Sequence, residues 1–255
     1  MYTDTHCHLE LMDAPSDEVV GRARAAGVTT LVTVGIDLAT SAQCVQTAGA
    51  EPGVWASVGI HPNNAIEATD HVLRMLAQLA QHPRVVGIGE TGLDWFRDHT
   101  PPVRQEESFR EHIRLAKELD KALIIHDRDA HDDVVRVLDD ERAPDRTVFH
   151  CFSGGPDLVE RCAERGWFVS FAGNLTFRNA PALREIAAAV PPSLLVTETD
   201  SPYLSPHPHR GKPNEPARVP LTVAQLGELH GMTPEEMGAV TSANARRLFA
   251  LPDEG

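Results

Sequence analysis

The sequence predicts an α/β fold, a (β/α)8 TIM barrel, built as one domain over residues 1–255. Three observations predict it. Short apolar β-like runs recur along the chain, helical patterns fill the gaps between them, and potential metal ligands directly follow several of the runs. Strands alternating with helices argue for a parallel sheet, and eight of them argue for a closed barrel over an open doubly wound sheet. In a barrel the active site lies at the C-terminal ends of the strands.

The runs are Tyr2–Thr5, Thr30–Val34, Val54–Val58, Val85–Gly89, Leu123–Ile125, Thr147–Phe149, Trp167–Phe171 and Leu194–Thr197. Each is short, rich in β-branched or aromatic residues, and bounded by Gly, Pro or charge. Between them, Ser16–Ala26 reads as a helix stopped by Gly27 as a C-cap. His71–Gln81 puts Leu73, Leu76 and Leu79 or Ala80 on one face. Val103–Asp120 sets Phe109, Ile113 and Ala116 along one side, with charges elsewhere. Pro156–Arg165 is a further helix. Thr233-Pro-Glu-Glu236 reads as a helix start with Pro at N1 and a capping-box Glu at N3.

Composition narrows the function. At 42 % hydrophobic and 24 % charged, the chain matches ordinary soluble globular proteins. A net charge of -14 opposes non-specific clamping of duplex DNA, which usually takes a basic surface. Nucleic-acid contact would then be local, through a few cations or metal ions, and suits an end or a short single strand. Cys7, Cys44, Cys151 and Cys162 form no C-x-x-C pair, so reduced thiols and a cytoplasmic location are expected. There is no signal-like segment, and no apolar run approaches the roughly 20 residues that span a bilayer.

The strand ends carry the chemistry. His6 and His8 are two apart, so on a strand both imidazoles face one side while Cys7 faces the other. In a chain with 13 histidines such a pair alone is weak. Asp4, just before it, could orient a ligand histidine. Glu90 sits among glycines in Gly87-Ile-Gly-Glu90-Thr-Gly-Leu-Asp94, and a carboxylate there could bridge two metals. Its plain alternative is a surface acid on a loop. His126 and His150 each directly follow an apolar run; singly, each reads more readily as a core histidine. Asp200 lies in Glu198-Thr-Asp200-Ser-Pro202, as a metal ligand and general base, with Glu198 supporting it; the alternative is a solvated turn. Together these donors suit two divalent ions, Mg²⁺, Mn²⁺ or Zn²⁺. Ser153-Gly154-Gly155 before a helix could hold a phosphate oxygen or simply turn the chain. Arg128, Arg210 and Lys212 are candidate phosphate contacts.

These residues resemble the TatD family of metal-dependent hydrolases. The resemblance is carried by Asp4-Thr-His-Cys-His-Leu9, Val58-Gly-Ile-His61-Pro, Gly89-Glu-Thr-Gly-Leu-Asp94, Ile124-Ile-His126 and His150-Cys-Phe-Ser-Gly154. It continues through Glu198-Thr-Asp200-Ser-Pro-Tyr203, Arg210 with Asn214-Glu-Pro216, and Asn244-Ala-Arg-Arg-Leu-Phe249, in family order over nearly the whole chain. It implies an amidohydrolase-type TIM barrel. One metal would be held by His6, His8, Glu90 and Asp200, and a second by Glu90, His126 and His150. His61 matches a family active-site histidine, and Asp94, Arg210 and Asn214 match motif positions near the site. The implied activity is 3′-5′ exonuclease cleavage of single-stranded DNA or RNA, with 3′ ends as substrate. A D-aminoacyl-tRNA deacylase, or another amidohydrolase-type esterase or lactonase, is the alternative. Lactonases and phosphotriesterases often bridge their metals with a modified Lys; the fourth strand end offers Glu90 and no Lys, which favours the TatD resemblance.

In that reading a water activated between the metals attacks the phosphodiester, Asp200 takes its proton, and His61 donates to the leaving oxygen or binds phosphate. The chain departs from the family pattern at Glu10, at Asn63-Asn64 and at Asp127. None is a proposed ligand, so these departures bear on substrate preference. No membrane partner is expected, and the oligomeric state is open, a monomer being the simplest case.

Overall fold

The computed structural model describes residues 1–252. Eight parallel strands run in sequential order, β1 (Tyr2–Cys7), β2 (Val28–Val34), β3 (Val54–Val58), β4 (Val85–Asp94), β5 (Ala122–Arg128), β6 (Thr147–Phe149), β7 (Phe168–Phe171) and β8 (Leu195–Thr197). Helices alternate with them: α1 (Ser16–Ala25), α2 (Leu38–Ala50), α3 (Asp70–Leu79), α4 (Pro102–Glu118), α5 (His131–Glu141), α6 (Pro156–Arg165), α7 (Pro181–Ala189), α8 (Val219–His230) and α9 (Pro234–Phe249). This is the (β/α)8 barrel that the sequence predicts.

Every one of the eight apolar runs is a strand. The differences lie at the ends. β4 runs on past Gly89 to Asp94, with a register shift between Ile88 and Thr91 in its pairing with β5. β5 likewise continues to Arg128, beyond the apolar run. Both extensions carry polar residues, which apolar patterning does not detect. Gly27 has φ +82 and follows Ala26, the C-cap of α1, so glycine ends that helix in the left-handed conformation. At α9 Thr233 and Glu236 close the expected capping box.

The seam between β8 and β1 is stitched by the segment after β8. Asp200 N donates to His6 O at 2.9 Å and His8 N donates to Ser201 O at 2.8 Å. The main apolar cluster lies between strands and helices, joining Val19 and Val20 of α1, Phe109 and Ile113 of α4 and Val134 and Leu138 of α5 to strand residues such as Leu31 and Val54. Burial of each such side chain contributes about 1.5–3 kcal/mol. A second cluster joins Val32, Val34, Ala122, Ile124, Val148 and Val196 to Ala245, Leu248 and Phe249 of α9. Side chains alternate along a strand. His126 therefore shares the face of Ala122 and Ile124, and His150 that of Val148, which carries both imidazoles to one end of the barrel.

Candidate metal centre

Glu90 is the hub of the site. Its Oε1 lies 2.7 Å from His126 Nδ1, 2.9 Å from His150 Nε2 and 3.5 Å from His61 Nε2. Its Oε2 lies 3.3 Å from His6 Nε2 and 3.9 Å from His8 Nε2. Asp200 Oδ1 completes the second side, 3.5 Å from His8 Nε2 and 3.9 Å from His6 Nε2. The six residues singled out in the sequence thus converge, and the two oxygens of one carboxylate face two different histidine sets. Among the described residues, three donor groups are compact enough for a metal ion: His6, His8 and Asp200; His6, Glu90 and His150; His61, Glu90 and His126.

The hydrogen bonds behind the rings say which nitrogens are free. His8 Nδ1 is 2.7 Å from Val34 O, a carbonyl that only accepts, so Nδ1 carries the proton and Nε2 presents a lone pair. His150 likewise lies between two carboxylates, Nδ1 3.2 Å from Glu198 Oε1 and Nε2 2.9 Å from Glu90 Oε1; with its proton on Nδ1, Nε2 turns a lone pair towards Glu90. His126 stands between two carboxylates, Nδ1 2.7 Å from Glu90 Oε1 and Nε2 3.2 Å from Asp94 Oδ2; with its proton on Nε2, Nδ1 turns a lone pair towards Glu90. His61 is built the other way. Its Nδ1 accepts from Asn63 N at 3.0 Å, so the neutral ring carries its proton on Nε2, the atom facing Glu90. His8, His126 and His150 are set up as ligands, and His61 as a hydrogen-bond donor.

The residues present fit divalent metal. His6 Nε2 and His8 Nε2 stand 3.3 Å apart, and buried His6 Nδ1 has no hydrogen-bond partner. Bare imidazole nitrogens also point at carboxylate oxygens, an arrangement that needs a cation or added protons between them. The titration of the cluster expresses the same demand. At His8 burial opposes the charged form, but hydrogen bonds to Asp200 and Glu10 hold its pKa well above the ordinary value. At His150 burial is likewise overcome, by Glu90 and Glu198. Burial disfavours the Glu90 carboxylate, yet His150 and His61 hold its pKa well below the usual range. His61 is the exception: burial, helped by His126 and His150, pushes it down to about 3.

Asp4 acts differently from the sequence expectation. It touches no imidazole. Its carboxyl accepts from Thr199 N at 2.9 Å, Thr199 Oγ1 at 2.6 Å and the His6 backbone N at 3.3 Å. It ties β1 to the segment carrying Asp200, and burial pushes its pKa up to about 8. Asn214 reinforces that segment, with Nδ2 donating to Thr199 O at 2.9 Å. Asp94, Arg128 and Ser153 line a cavity of about 540 Å³ together with the metal-site residues. Arg210 is not in that lining; its guanidinium packs 3.6 Å over the Phe177 ring. Lys212 is exposed and also outside the lining. Gly154 leaves no room for a Cβ, which would sit 2.5 Å from Leu158 Cδ2, so close packing accounts for this glycine.

Two supporting residues escape the sequence reading, and a third enters it without its structural role. His112 of α4 accepts from Ile60 N at 3.0 Å and so holds the turn that carries His61. Gln105 of α4 accepts from Asp94 N at 2.8 Å. Asn63, one of the departures from the family pattern, donates to Asp94 Oδ2 at 3.2 Å. The signal for the first two was present: Gln105, Ser108 and His112 extend the Phe109–Ile113–Ala116 stripe of α4 with buried polar side chains.

A family model, TatD related DNase, matches residues 3–250. The chain belongs to the TatD family. A relative from Mycobacterium tuberculosis, named as an uncharacterized metal-dependent hydrolase TatD, is 42 % identical over 97 % of this chain and 97 % of its own. The 3′-5′ ssDNA/RNA exonuclease TatD of Citrobacter rodentium is 37 % identical, covering 92 % of each chain. The crystal structure of YjjV, a TatD homologue from Escherichia coli K12, superposes with a TM-score of 0.92 at 31 % identity, covering 98 % of both chains. As in the sequence reading, no helix among the described residues of this TatD chain is long and apolar enough to cross a membrane.

Proposed function

We propose that this TatD-family protein is a two-metal 3′-5′ exonuclease of single-stranded DNA or RNA. The observation that carries the reading is the division of Glu90, with Oε1 towards His126 and His150 and Oε2 towards His6 and His8. One carboxylate reaching two ligand sets suits a pair of Mg²⁺, Mn²⁺ or Zn²⁺ ions. Such ions, when bound, supply a nucleophile at neutral pH and offset charge on a phosphodiester. The exonuclease name of the Citrobacter rodentium relative supports the substrate class.

The chain's own groups divide the remaining work. Asp200 has its pKa lowered, by His8 first and by His150 and His6, against the opposing effect of burial. It is therefore an ionised carboxylate at the cavity, available to take the proton of an attacking water. His61 is neutral with its N–H on Nε2, fitted to offer a hydrogen bond to a phosphate oxygen or to the leaving oxygen, which takes its proton from solvent. The acidic surface leaves phosphate recognition to the metals and to the arginines of the cavity wall.

The test is a substrate panel. Metal-loaded protein is offered 3′-labelled single-stranded DNA and RNA, aminoacyl-tRNA, lactones and phosphotriesters. Stepwise loss of 3′ nucleotides is expected. Turnover confined to the aminoacyl ester or the lactones would replace the nuclease reading with an esterase one.

A further inference from the structure

We propose that Tyr203 and the Phe96–Arg128 pair form two facing base-stacking walls at the barrel mouth, a subsite for the last bases of a single strand. The proposal rests on the nuclease reading and adds the residues that would hold the bases.

Large apolar side chains are rarely left in water here. Among the described residues only Met1, Ile66, Phe96, Val103 and Tyr203 are exposed in this way. Phe96 is 61 % exposed and Tyr203 is 54 % exposed. Phe96 follows β4 and Tyr203 follows β8, strands that stand opposite each other in an eight-stranded ring. Tyr203 lines the metal-site cavity, with its ring 6.3 Å from that of His8. Across the mouth, Arg128 lines the cavity and lays its guanidinium 3.8 Å over the Phe96 ring.

Both aromatic residues are held by the site itself. Phe96 N and Arg97 N each donate to Asp94 Oδ1 at 3.0 Å, and Asp94 also receives His126. Tyr203 N donates to the backbone oxygen of Asp200 at 2.9 Å. Their exposure is thus fixed by the backbone at either edge of the metal centre.

Charge and unmet hydrogen bonds point to the same ligand. Arg97 and Arg128 both line the cavity. Among the described residues neither has a carboxylate within 4.0 Å, whereas Arg110, Arg114 and Arg136 are each bound by at least two. In a chain of net charge -14, guanidiniums left unpaired at one mouth suit an anionic chain. Asn63 Oδ1 and Asn174 Oδ1 are buried without a partner, and both residues line the cavity. Free acceptors there suit sugar hydroxyls or base amino groups. Exposed aromatic faces beside unpaired guanidiniums are how sequence-tolerant single-strand binding is built.

The experiment measures KM and kcat of the metal-loaded enzyme on two oligonucleotides, one normal and one with abasic units at its last three 3′ positions. Tyr203→Ala and Phe96→Ala are expected to raise KM about tenfold on the normal strand, with kcat changed less than threefold. On the abasic strand the same variants should match wild type within twofold. Tyr203→Phe, which keeps the ring, should restore the wild-type KM. Unchanged KM on the normal strand, or an equal loss on both strands, overturns the stacking walls while leaving the nuclease reading intact. Wild-type protein that cleaves neither strand overturns both.

Discussion

Two charged clusters sit on this barrel, and they are built on opposite terms. On the outer face of α4 and α5, Arg110 binds Glu106, Asp140 and Glu141 at 2.8–3.0 Å. Arg136 binds Glu106 and Asp133 at 2.9 and 3.0 Å. Every acid there meets a permanent cation. At the barrel mouth, Glu90 and Asp200 are buried to 4 % and 14 % side-chain exposure and face imidazoles. An imidazole is a cation only when protonated, and three of these rings are already committed to hydrogen bonds behind them. The outer cluster is complete as it stands. The mouth is complete only with further positive charge, and that difference separates a structural ion network from a candidate metal centre.

The sharpest way to break the comparison is Glu90→Ala. Removing the carboxylate shared by both ligand sets is expected to reduce hydrolysis by about 10³-fold or more, with the far-ultraviolet circular dichroism unchanged. Activity within tenfold of wild type would put the mouth in the same class as the outer network. Chelation comes next. Removing divalent metal should abolish turnover and lower Tm, and restoring Mg²⁺, Mn²⁺ or Zn²⁺ should recover both. A ligand at a hundred times its Kd stabilises the folded state by about 2.7 kcal/mol. A Tm indifferent to metal would argue that protons alone balance the mouth.

His112 probes the helix that serves both clusters. Arg110 and Arg114 project from α4 into the outer network, while His112 on the same helix supports the His61 turn. Burial pushes the His112 pKa down to about 4 from 6.5. A folded-state value below the unfolded one means that the unfolded chain binds the extra proton. Stability from neutral His112 is therefore full above about pH 6.5 and is lost as pH falls towards 4, by roughly 3 kcal/mol in all. Urea titrations across that range should show a shallower acid decline for His112→Gln; a parallel decline would reject the assignment. The smallest effect belongs to the outer network. Arg110→Ala should cost no more than about 1 kcal/mol and leave kcat unchanged, since exposed ion pairs contribute little. The pKa of Glu106, held at about 2 by Arg136 and Arg110, should rise in that variant, which carbon-detected NMR titration would follow.

Much of this was legible in the sequence because the barrel places its ligands by a simple rule. His126 and His150 directly follow apolar runs, and His6 and His8 are spaced for one face of a strand. Each therefore announces both its element and its end. Asp200 was harder, since it lies three residues beyond β8 with φ +52. Only its motif marked it. Two kinds of residue stayed hidden. Asp4 reads as a ring-orienting acid but binds backbone and hydroxyl groups of Thr199, a contact 195 residues away in sequence. Arg210 reads as a phosphate contact, and the sequence gives no sign that its guanidinium lies over Phe177. Neither partner can be identified from local pattern, because both depend on how the segment after β8 folds back. Tautomers were hidden for the same reason: the proton position on His61 is set by the backbone N–H of Asn63.

The seam between β8 and β1 carries one more consequence. The backbone groups that close the barrel there belong to His6, His8 and Asp200, and to Ser201 beside them. Ligand placement and ring closure are thus the same set of bonds, with Asp4 clasping them from below. Opening this seam would scatter the ligands, so the two events form one cooperative unit. Amide protons of His8 and Asp200 should exchange with solvent slowly and together, and their exchange should slow further in step with metal concentration. Such a barrel would carry its load in its clasp: the ion that serves catalysis would also fasten the ring.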